Sequence, residues 1–463
     1  MLVFRKCHKI KKDYFLKYIK YLLFISIFFQ ISFEFYNSKQ TFSLYSPKIT
    51  KIKIRGGKSA KIGIMSDLQI NKNISIKSFN FYAYNTFRAL KVFKKNNVDI
   101  IIIAGDITDD GEIINYLYFK KIYHSIFENN KTPILISIMG NHDYKDQKYS
   151  IFGNQRKFFN YMDSYPYSHY LINNYNFLFW SYNSIKKGYS NKRENHWLKS
   201  RIEIAKKNIN KVGDPIFVIS HMPPLKTVYG SENIFGNQDL YDILKNYPEV
   251  ISITGHSHYS LRNIKSIYQG EFTAINVQSI SYVEIDKSYS NYLDVHFESS
   301  KNDSMGLIVY LNNNSVIFDR IKFSTEEIME ERWNIKFPLN ISNFNYNFDK
   351  MNKKIKPVFV DKSKIEIKKI NINNNDTIFI IFNAALHKDY VYKYKIELKS
   401  KDKKENNRIY YYYSDYYKGK KSRQKILKFE LPKDLNRGKY NVYIYAIDTF
   451  GNTSEPKKGI IYI

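Results

Sequence analysis

The chain has 463 residues, 43% hydrophobic and 17% aromatic, enough apolar matter for two or three domains with cores of their own and too much for a disordered polymer. Its one cysteine, Cys7, excludes an intrachain disulfide and any thiolate zinc site. The formal charge of +30 favours phosphorylated ligands, but lysine is spread along the whole chain, and no dense basic patch with interleaved aromatics marks a specific nucleic-acid surface.

The chain begins with a basic stretch, Arg5, Lys6, Lys9, Lys11, Lys12, Lys17 and Lys20, ahead of an apolar run from Tyr21 to Phe33. Such a run behind a basic flank reads as a signal peptide or signal anchor over residues 1–36, a transmembrane helix if it is retained. The remainder would then lie outside the cytoplasm, membrane-anchored or secreted. Residues 37–58 read as a linker and a lead-in strand.

From residue 59 a pattern recurs. Short β-branched runs stop abruptly at small or polar clusters. Lys61 to Ser66 stops at Asp67, Asp99 to Ala104 at Gly105-Asp106, and Pro133 to Met139 at Gly140-Asn141-His142-Asp143. Pro215 to Ser220 stops at His221, and Val250 to Thr254 at Gly255-His256-Ser257-His258. The runs are continuously apolar, as in strands buried on both faces. Stretches of helical spacing lie between them: Ser78 to Lys95, Ile113 to Glu128 and Trp197 to Ile209. Strands alternating with helices predict an α/β sheet, whose ligands gather beyond the carboxyl ends of the strands. Every polar cluster falls there. Strands follow at Phe272 to Val277, Gly306 to Leu311 and Ser315 to Phe323, and then a helical stretch leads to Trp333. The α/β segment therefore spans 59–338, and a polar linker 339–356. Residues 357–463 alternate in period two without helical spacing, which predicts a small β-sandwich.

Asp and Asn oxygens combined with His nitrogens suit manganese, iron, zinc or magnesium, with the harder ions favoured. A carboxylate shared by two such ions holds them a few ångströms apart, and a bridging water becomes hydroxide near neutral pH.

The five clusters, in this order and spacing, resemble the calcineurin-like metallophosphoesterases over roughly residues 60 to 335. The resemblance implies a four-layer α/β/β/α sandwich and a binuclear metal centre, with manganese first among the candidate ions. Asp106 would bridge the two ions. Asp67, Gln69 and His258 would hold the first, and Asn141, His221 and His256 the second. His142 would be the catalytic imidazole, with Asp143 orienting it and Asp109 fixing a ligand from behind. Gln69 departs from the pattern, since histidine is usual there; a neutral amide oxygen favours manganese or magnesium and weakens the first corner. The substrate would be a phosphate mono-, di- or pyrophosphate ester of small-molecule, lipid or nucleotide character. A non-catalytic surface binding or adhesion protein on a vestigial scaffold is the competing reading, motivated by Gln69 and by the appended sandwich. Tyr443 to Asp448, followed by Thr449-Phe450-Gly451-Asn452-Thr453-Ser454, resembles the last strand and turn of immunoglobulin-like or fibronectin type III domains. Tyr144 and Tyr182 are candidates for lining the cleft. Oligomeric state is not legible in the sequence.

Overall fold

The computed structural model describes residues 43–46, 48–54, 59–71, 81–127, 132–181, 192–209, 211–232, 235–284, 303–360, 365–372, 375–401, 407–419, 423–433, 435–436 and 438–463. The N-terminal basic and apolar stretch, with the signal and membrane expectations drawn from it, lies outside these residues, as does Tyr182. Among the described residues no helix is long and apolar enough to cross a membrane.

In chain order the first elements are β1 (Thr50–Ile52), β2 (Ala60–Met65), α1 (Phe81–Lys95), β3 (Ile100–Ala104), α2 (Ile113–Ile126), β4 (Ile134–Ile138) and α3 (Ile151–Met162). Next come β5 (Tyr167–Ile172), β6 (Tyr175–Trp180), α4 (Lys192–Lys207), β7 (Ile216–Ser220), α5 (Gln238–Leu244), β8 (Val250–Thr254), β9 (Ile267–Gln269) and β10 (Thr273–Asn276). The sheets of this half close with β11 (Met305–Leu311), β12 (Ser315–Lys322), β13 (Glu327–Ile328) and β14 (Trp333–Lys336).

Two seven-stranded mixed sheets result, in the orders β1-β5-β6-β7-β8-β10-β9 and β13-β12-β11-β2-β3-β4, with β14 also pairing β12. β2, β3 and β4 are mutually parallel, as are β6, β7, β8 and β10. β3, four isoleucines and an alanine, is buried along its whole length, because each of its faces meets a separate core. Between the sheets, Ile62, Ile64, Ile100 and Ile102 pack against Phe177, Phe179, Phe217, Ile219 and Ile253. On the outer face, Ile101, Ile103 and Ile308 pack against Leu90 and Phe93 of α1, Phe119 of α2 and Phe158 of α3. Helix α4 covers the other sheet through Leu198, Ile202 and Ala205. The layers are thus α/β/β/α, as expected.

Three local expectations change. The β5–β6 hairpin was not anticipated, although Asn173-Asn174 between two apolar runs is a hairpin signal; both residues have positive φ, 48° and 70°, as a two-residue turn of the primed type requires. Helix α3 was also missed. Its start is written in Ser150, whose hydroxyl accepts from the Gly153 amide at 3.1 Å. The helical stretch expected before Trp333 is corrected: residues 323–332 form turns and β13, and Trp333 begins a strand whose Trp333 and Ile335 face the inter-sheet core. The polar stretch 339–356 carries a short 3-10 turn, Ile341–Asn343, and one helical turn, Phe348–Met351, and buries Phe344.

The C-terminal part is all antiparallel: β15 (Glu366–Ile372), β16 (Asn375–Asn383), β17 (Lys393–Ser400), β18 (Arg408–Tyr413), β19 (Ile426–Glu430), β20 (Lys439–Ile447) and β21 (Lys457–Tyr462). They form a three-stranded sheet, β15-β16-β19, and a four-stranded one, β18-β17-β20-β21. Strand β20 shows why: Tyr440, Val442, Ile444 and Ala446 alternate into a shared core with Ile380, Ile396 and Phe429. β15 and β18 were not read from the sequence, where lysine and tyrosine mask the alternation.

Candidate metal centre

The motif loops leave the carboxyl ends of β2, β3 and β4 in one sheet and of β7 and β8 in the other. They are stitched to one another by main-chain bonds. The Asp67 amide donates to Gly105 O at 3.1 Å, Gln69 N to Asp106 O at 3.0 Å, and Gly255 N to His221 O at 2.9 Å. Five site residues sit in the left-handed region: Asp67 (φ 54°), Gln69 (48°), Asp106 (51°), His256 (71°) and His258 (58°). Each costs on the order of 1–3 kcal/mol and persists only where its surroundings over-determine it. Two glycines are required by close approach: a Cβ on Gly140 would fall 2.2 Å from Asp106 Oδ1, and one on Gly255 would fall 2.5 Å from Asp67 Oδ2.

The side chains converge on a buried point. His221 Nε2 lies 3.2 Å from Asp106 Oδ2, 3.7 Å from Asp67 Oδ1 and 3.2 Å from Asn141 Oδ1. His258 Nε2 lies 3.1 Å from Asp67 Oδ1. His256 belongs to the same group, its ring 5.0 Å from that of His221, with ligand atoms of Asp106, His221 and His256 within 4.8 Å of one another. The remaining oxygens are spoken for: the His142 amide donates to Asp106 Oδ1 at 2.8 Å, and the His256 amide to Asp67 Oδ2 at 3.0 Å. His221 Nδ1 faces Ala104 O at 2.8 Å, which turns Nε2 inward.

Electrostatics follow from this packing. Burial alone would raise both carboxyls, but the neighbouring imidazoles outweigh it: Asp67 is lowered by His258 and His221, and Asp106 by His221 and His142. Burial opposes a charge on His221, yet Asp106 and Asp67 push its pKa up to about 10. His256, buried and beside that charge, falls to about 3. Two fully buried carboxylates therefore demand a cationic partner.

The chemistry of the set fits divalent cations. Oxygen and imidazole donors gather without thiols, and Asp67 Oδ1, wholly buried, has only the imidazoles of His258 and His221 beside it and no backbone or hydroxyl donor. A buried carboxylate oxygen facing the ring nitrogens of His258 and His221 at 3.1 and 3.7 Å is placed as a metal ligand would be.

Two roles differ from the sequence reading. Asp143 does not touch the His142 ring. Its carboxylate, wholly buried, accepts from the amides of Ile107, Thr108 and Gly140 and from the hydroxyls of Thr108 and Tyr116, so it pins the Asp106 loop to its own. Burial and the nearby Asp106 charge raise its pKa. The carboxylate on His142 is Asp109: Nδ1 lies 3.0 Å from its Oδ1 and 2.8 Å from its backbone oxygen. Burial works against a proton on His142, but the bond to Asp109 and the Asp106 charge raise its pKa overall. Gln69 Oε1 accepts from Ser281 Oγ at 2.9 Å, and its amide nitrogen faces His142 Nε2 at 3.4 Å, so one of the two lone pairs expected on the first metal is already used.

Sequence reasoning missed Tyr282, whose ring lies 4.3 Å from that of His258, Phe235, 5.7 Å from His256, and Lys145, whose ammonium lies 2.9 Å from His142 Nε2. None lies in a motif; Lys145 alone had a signal, two residues beyond His142-Asp143. Tyr144 is buried in the core beneath, its hydroxyl on Ser181 O.

Residues 60–260 match the family described as calcineurin-like phosphoesterase. Over 88 residues the chain is 32% identical to a probable cyclic nucleotide phosphodiesterase of Xenorhabdus bovienii, covering 18% of this chain and 34% of that protein. The chain thus matches about a third of that relative's length. Similar solved structures include a dimetal phosphatase from Danio rerio (11% identity, 60% of this chain and 99% of that one, TM-score 0.41). Another is GAP50, the anchor in the inner membrane complex of Plasmodium (18%, 64% and 92%, TM-score 0.42). A third is the purple acid phosphatase PPD1 from yellow lupin seeds (13%, 60% and 54%, TM-score 0.41).

Proposed function

We propose that this chain, whose residues 60–260 are a calcineurin-like phosphoesterase domain, hydrolyses phosphate esters with two divalent cations, manganese first among them. The observation that carries the reading is the buried, acceptor-only Asp67 Oδ1 at the focus of His221 and His258, beside Asp106. Asp67 and His258 would hold one ion, Asn141, His221 and His256 the other, with Asp106 between them. Held by these residues, two cations would lower the pKa of a water towards neutrality and would neutralise phosphoryl oxygens. The rest falls to the chain's own groups. Asp109 holds His142 Nδ1, so Nε2 faces the cleft and carries the proton for the leaving oxygen. The Gln69 amide stands beside that Nε2 and the Lys145 ammonium lies against the ring, 2.7 Å from Nδ1 and 2.9 Å from Nε2, and both can donate to the other oxygens of the ester.

We put phosphodiesters first among substrates, ahead of monoesters and pyrophosphates, a preference supported by the partial match to a relative named a probable cyclic nucleotide phosphodiesterase. Export through the N-terminal segment and an immunoglobulin-like or fibronectin type III-like C-terminal sandwich belong to the same proposal. The test is the purified full chain with manganese, iron, zinc or magnesium against bis-p-nitrophenyl phosphate, cyclic nucleotides and nucleoside diphosphate esters. Turnover with His142→Ala at least about 100-fold down is expected. No turnover with any of the four ions, or turnover undiminished in His142→Ala, overturns the reading.

A second reading, a surface-binding protein on a vestigial scaffold, is favoured by one observation, the engagement of Gln69 Oε1 by Ser281. Two bound ions per chain would rule it out.

A further inference from the structure

Residues 279–284 run between two motif loops. At their start, Ile280 N donates to Ser66 O at 3.0 Å and Ser281 N to Asp67 O at 3.1 Å, while Ser281 Oγ holds Gln69. At their end, Glu284 N donates to His258 O at 2.9 Å, and Tyr282 lies against the His258 ring. This one segment therefore spaces Asp67 from His258.

The C-terminal sandwich covers both sides of that arrangement. Tyr417, buried, packs on buried Val283. Tyr392, within a cluster with Tyr390, Tyr413 and Tyr416, meets Tyr229 hydroxyl to hydroxyl, and Tyr229 stands edge-on to Tyr259 at 4.8 Å. Tyr259 is the residue after His258. Tyr390 OH accepts from the Ile264 amide at 3.0 Å and meets Asn263 Oδ1 at 3.2 Å, fixing the same loop further along.

This clamp meets a local need. Asp67 and His258 both hold left-handed backbone, at φ 54° and 58°, which relaxes unless neighbours prevent it. Their corner has a neutral amide, Gln69, where the family pattern has histidine, and its Oε1 already accepts from Ser281 Oγ. The other corner is tied directly into the sheets, through His221 Nδ1 on Ala104 O and Gly255 N on His221 O.

We infer that the sandwich is a positioning part of the metal centre: Tyr417 and Tyr392, acting through Val283–Tyr282 and Tyr229–Tyr259, hold His258 at the Asp67 corner and so set the affinity of that corner for its ion. The inference rests on the two-metal reading above.

The experiment is manganese titration of the chelator-stripped full chain, by calorimetry, beside thermal unfolding. Wild type is expected to show two sites. In Tyr417→Ala the weaker dissociation constant should rise about 10- to 100-fold and the stronger one change less than about threefold. Val283→Ala opens the same contact from the catalytic side with less risk to folding and should act likewise, while Tyr417→Phe should restore wild-type binding. Leu398→Ala, in the sandwich core away from the contact, should lower the melting temperature and leave both constants in place. Two wild-type sites with constants unchanged in Val283→Ala, or weakened equally at both, overturn the inference alone. A wild type that takes up no manganese overturns it together with the proposed function.

Discussion

Gly140→Ala isolates one contact in the centre. No left-handed φ is required at Gly140, so alanine suffers no backbone strain there; the difficulty is that its methyl would lie 2.2 Å from Asp106 Oδ1 and 2.5 Å from Asp106 N. Ordinary contact begins at 3.4 Å, so Asp106 or its loop must retreat by about 1.2 Å. Asp106 is fully buried and holds the His142 amide through that same oxygen, so there is no free space in which to yield. Overpacking of this kind costs about 1–3 kcal/mol of stability. A displacement of about 1 Å at a catalytic group costs about 100-fold in rate. The assay pairs kcat on the best substrate with manganese stoichiometry and thermal unfolding, using Gly438→Ala as control, where the nearest atom to a new methyl is 3.8 Å away. The variant should fold, lose about 100-fold in kcat and bind metal more weakly. A Gly140→Ala enzyme within threefold of wild type in kcat would refute the claim that Asp106 is held by this contact.

His169 is only 2% exposed, hydrogen-bonded to Asn176 Oδ1 at 2.9 Å, and burial lowers its pKa to about 4. The unfolded chain, with an ordinary value near 6.5, binds the proton first. Stability from this residue is therefore complete above about pH 6.5 and lost as pH falls towards 4, about 2 kcal/mol of it by pH 5. Urea unfolding in chelator should show that loss between pH 7.5 and 5 in wild type and a correspondingly smaller one in His169→Leu; equal slopes would contradict it. Lys157→Met removes from Asp146 its buried partner at 2.8 Å, leaving only the weaker influence of Lys148, and should cost about 3 kcal/mol in denaturant melts. A loss under 1 kcal/mol would show that the pair is better solvated than its burial implies. Asp109→Asn should lower kcat about 10- to 100-fold with melting temperature and metal content retained, because it touches the His142 ring. Asp143→Ala should instead lower the melting temperature, because it strands the amides and hydroxyls that pin two motif loops. The reverse pattern would restore Asp143 as the residue that orients His142.

The contrast between Asp109 and Asp143 shows where reading by chain order stops. Asp143 is adjacent to His142 in sequence, and adjacency suggested partnership. In a tight 3-10 turn, His142–Tyr144, neighbouring side chains diverge, and Asp143 goes inward. Asp109 reaches the ring only because β3 and β4 are parallel neighbours. Gln69 is similar: its identity was plain, but the direction of its amide was set by Ser281, 212 positions away. The Asn173-Asn174 turn was legible and simply missed.

The sequence alone determined which groups are available, since chemistry at a strand end is written in the local text: apolar β-branched runs, an abrupt stop, then Asp, Asn or His. It also determined that the sheet strands are covered on both faces, because continuous apolar runs need two covered faces, while the four-layer order came from the resemblance of the motifs to a known family. Only the tertiary structure decided which of those groups meet, which carboxylate oxygen faces the imidazoles, and that a tyrosine-rich sandwich lies against the His258 loop. Those outcomes depend on contacts between residues a hundred or more positions apart, made through the side chains and backbone angles of whatever loop lies between, and no local pattern records them.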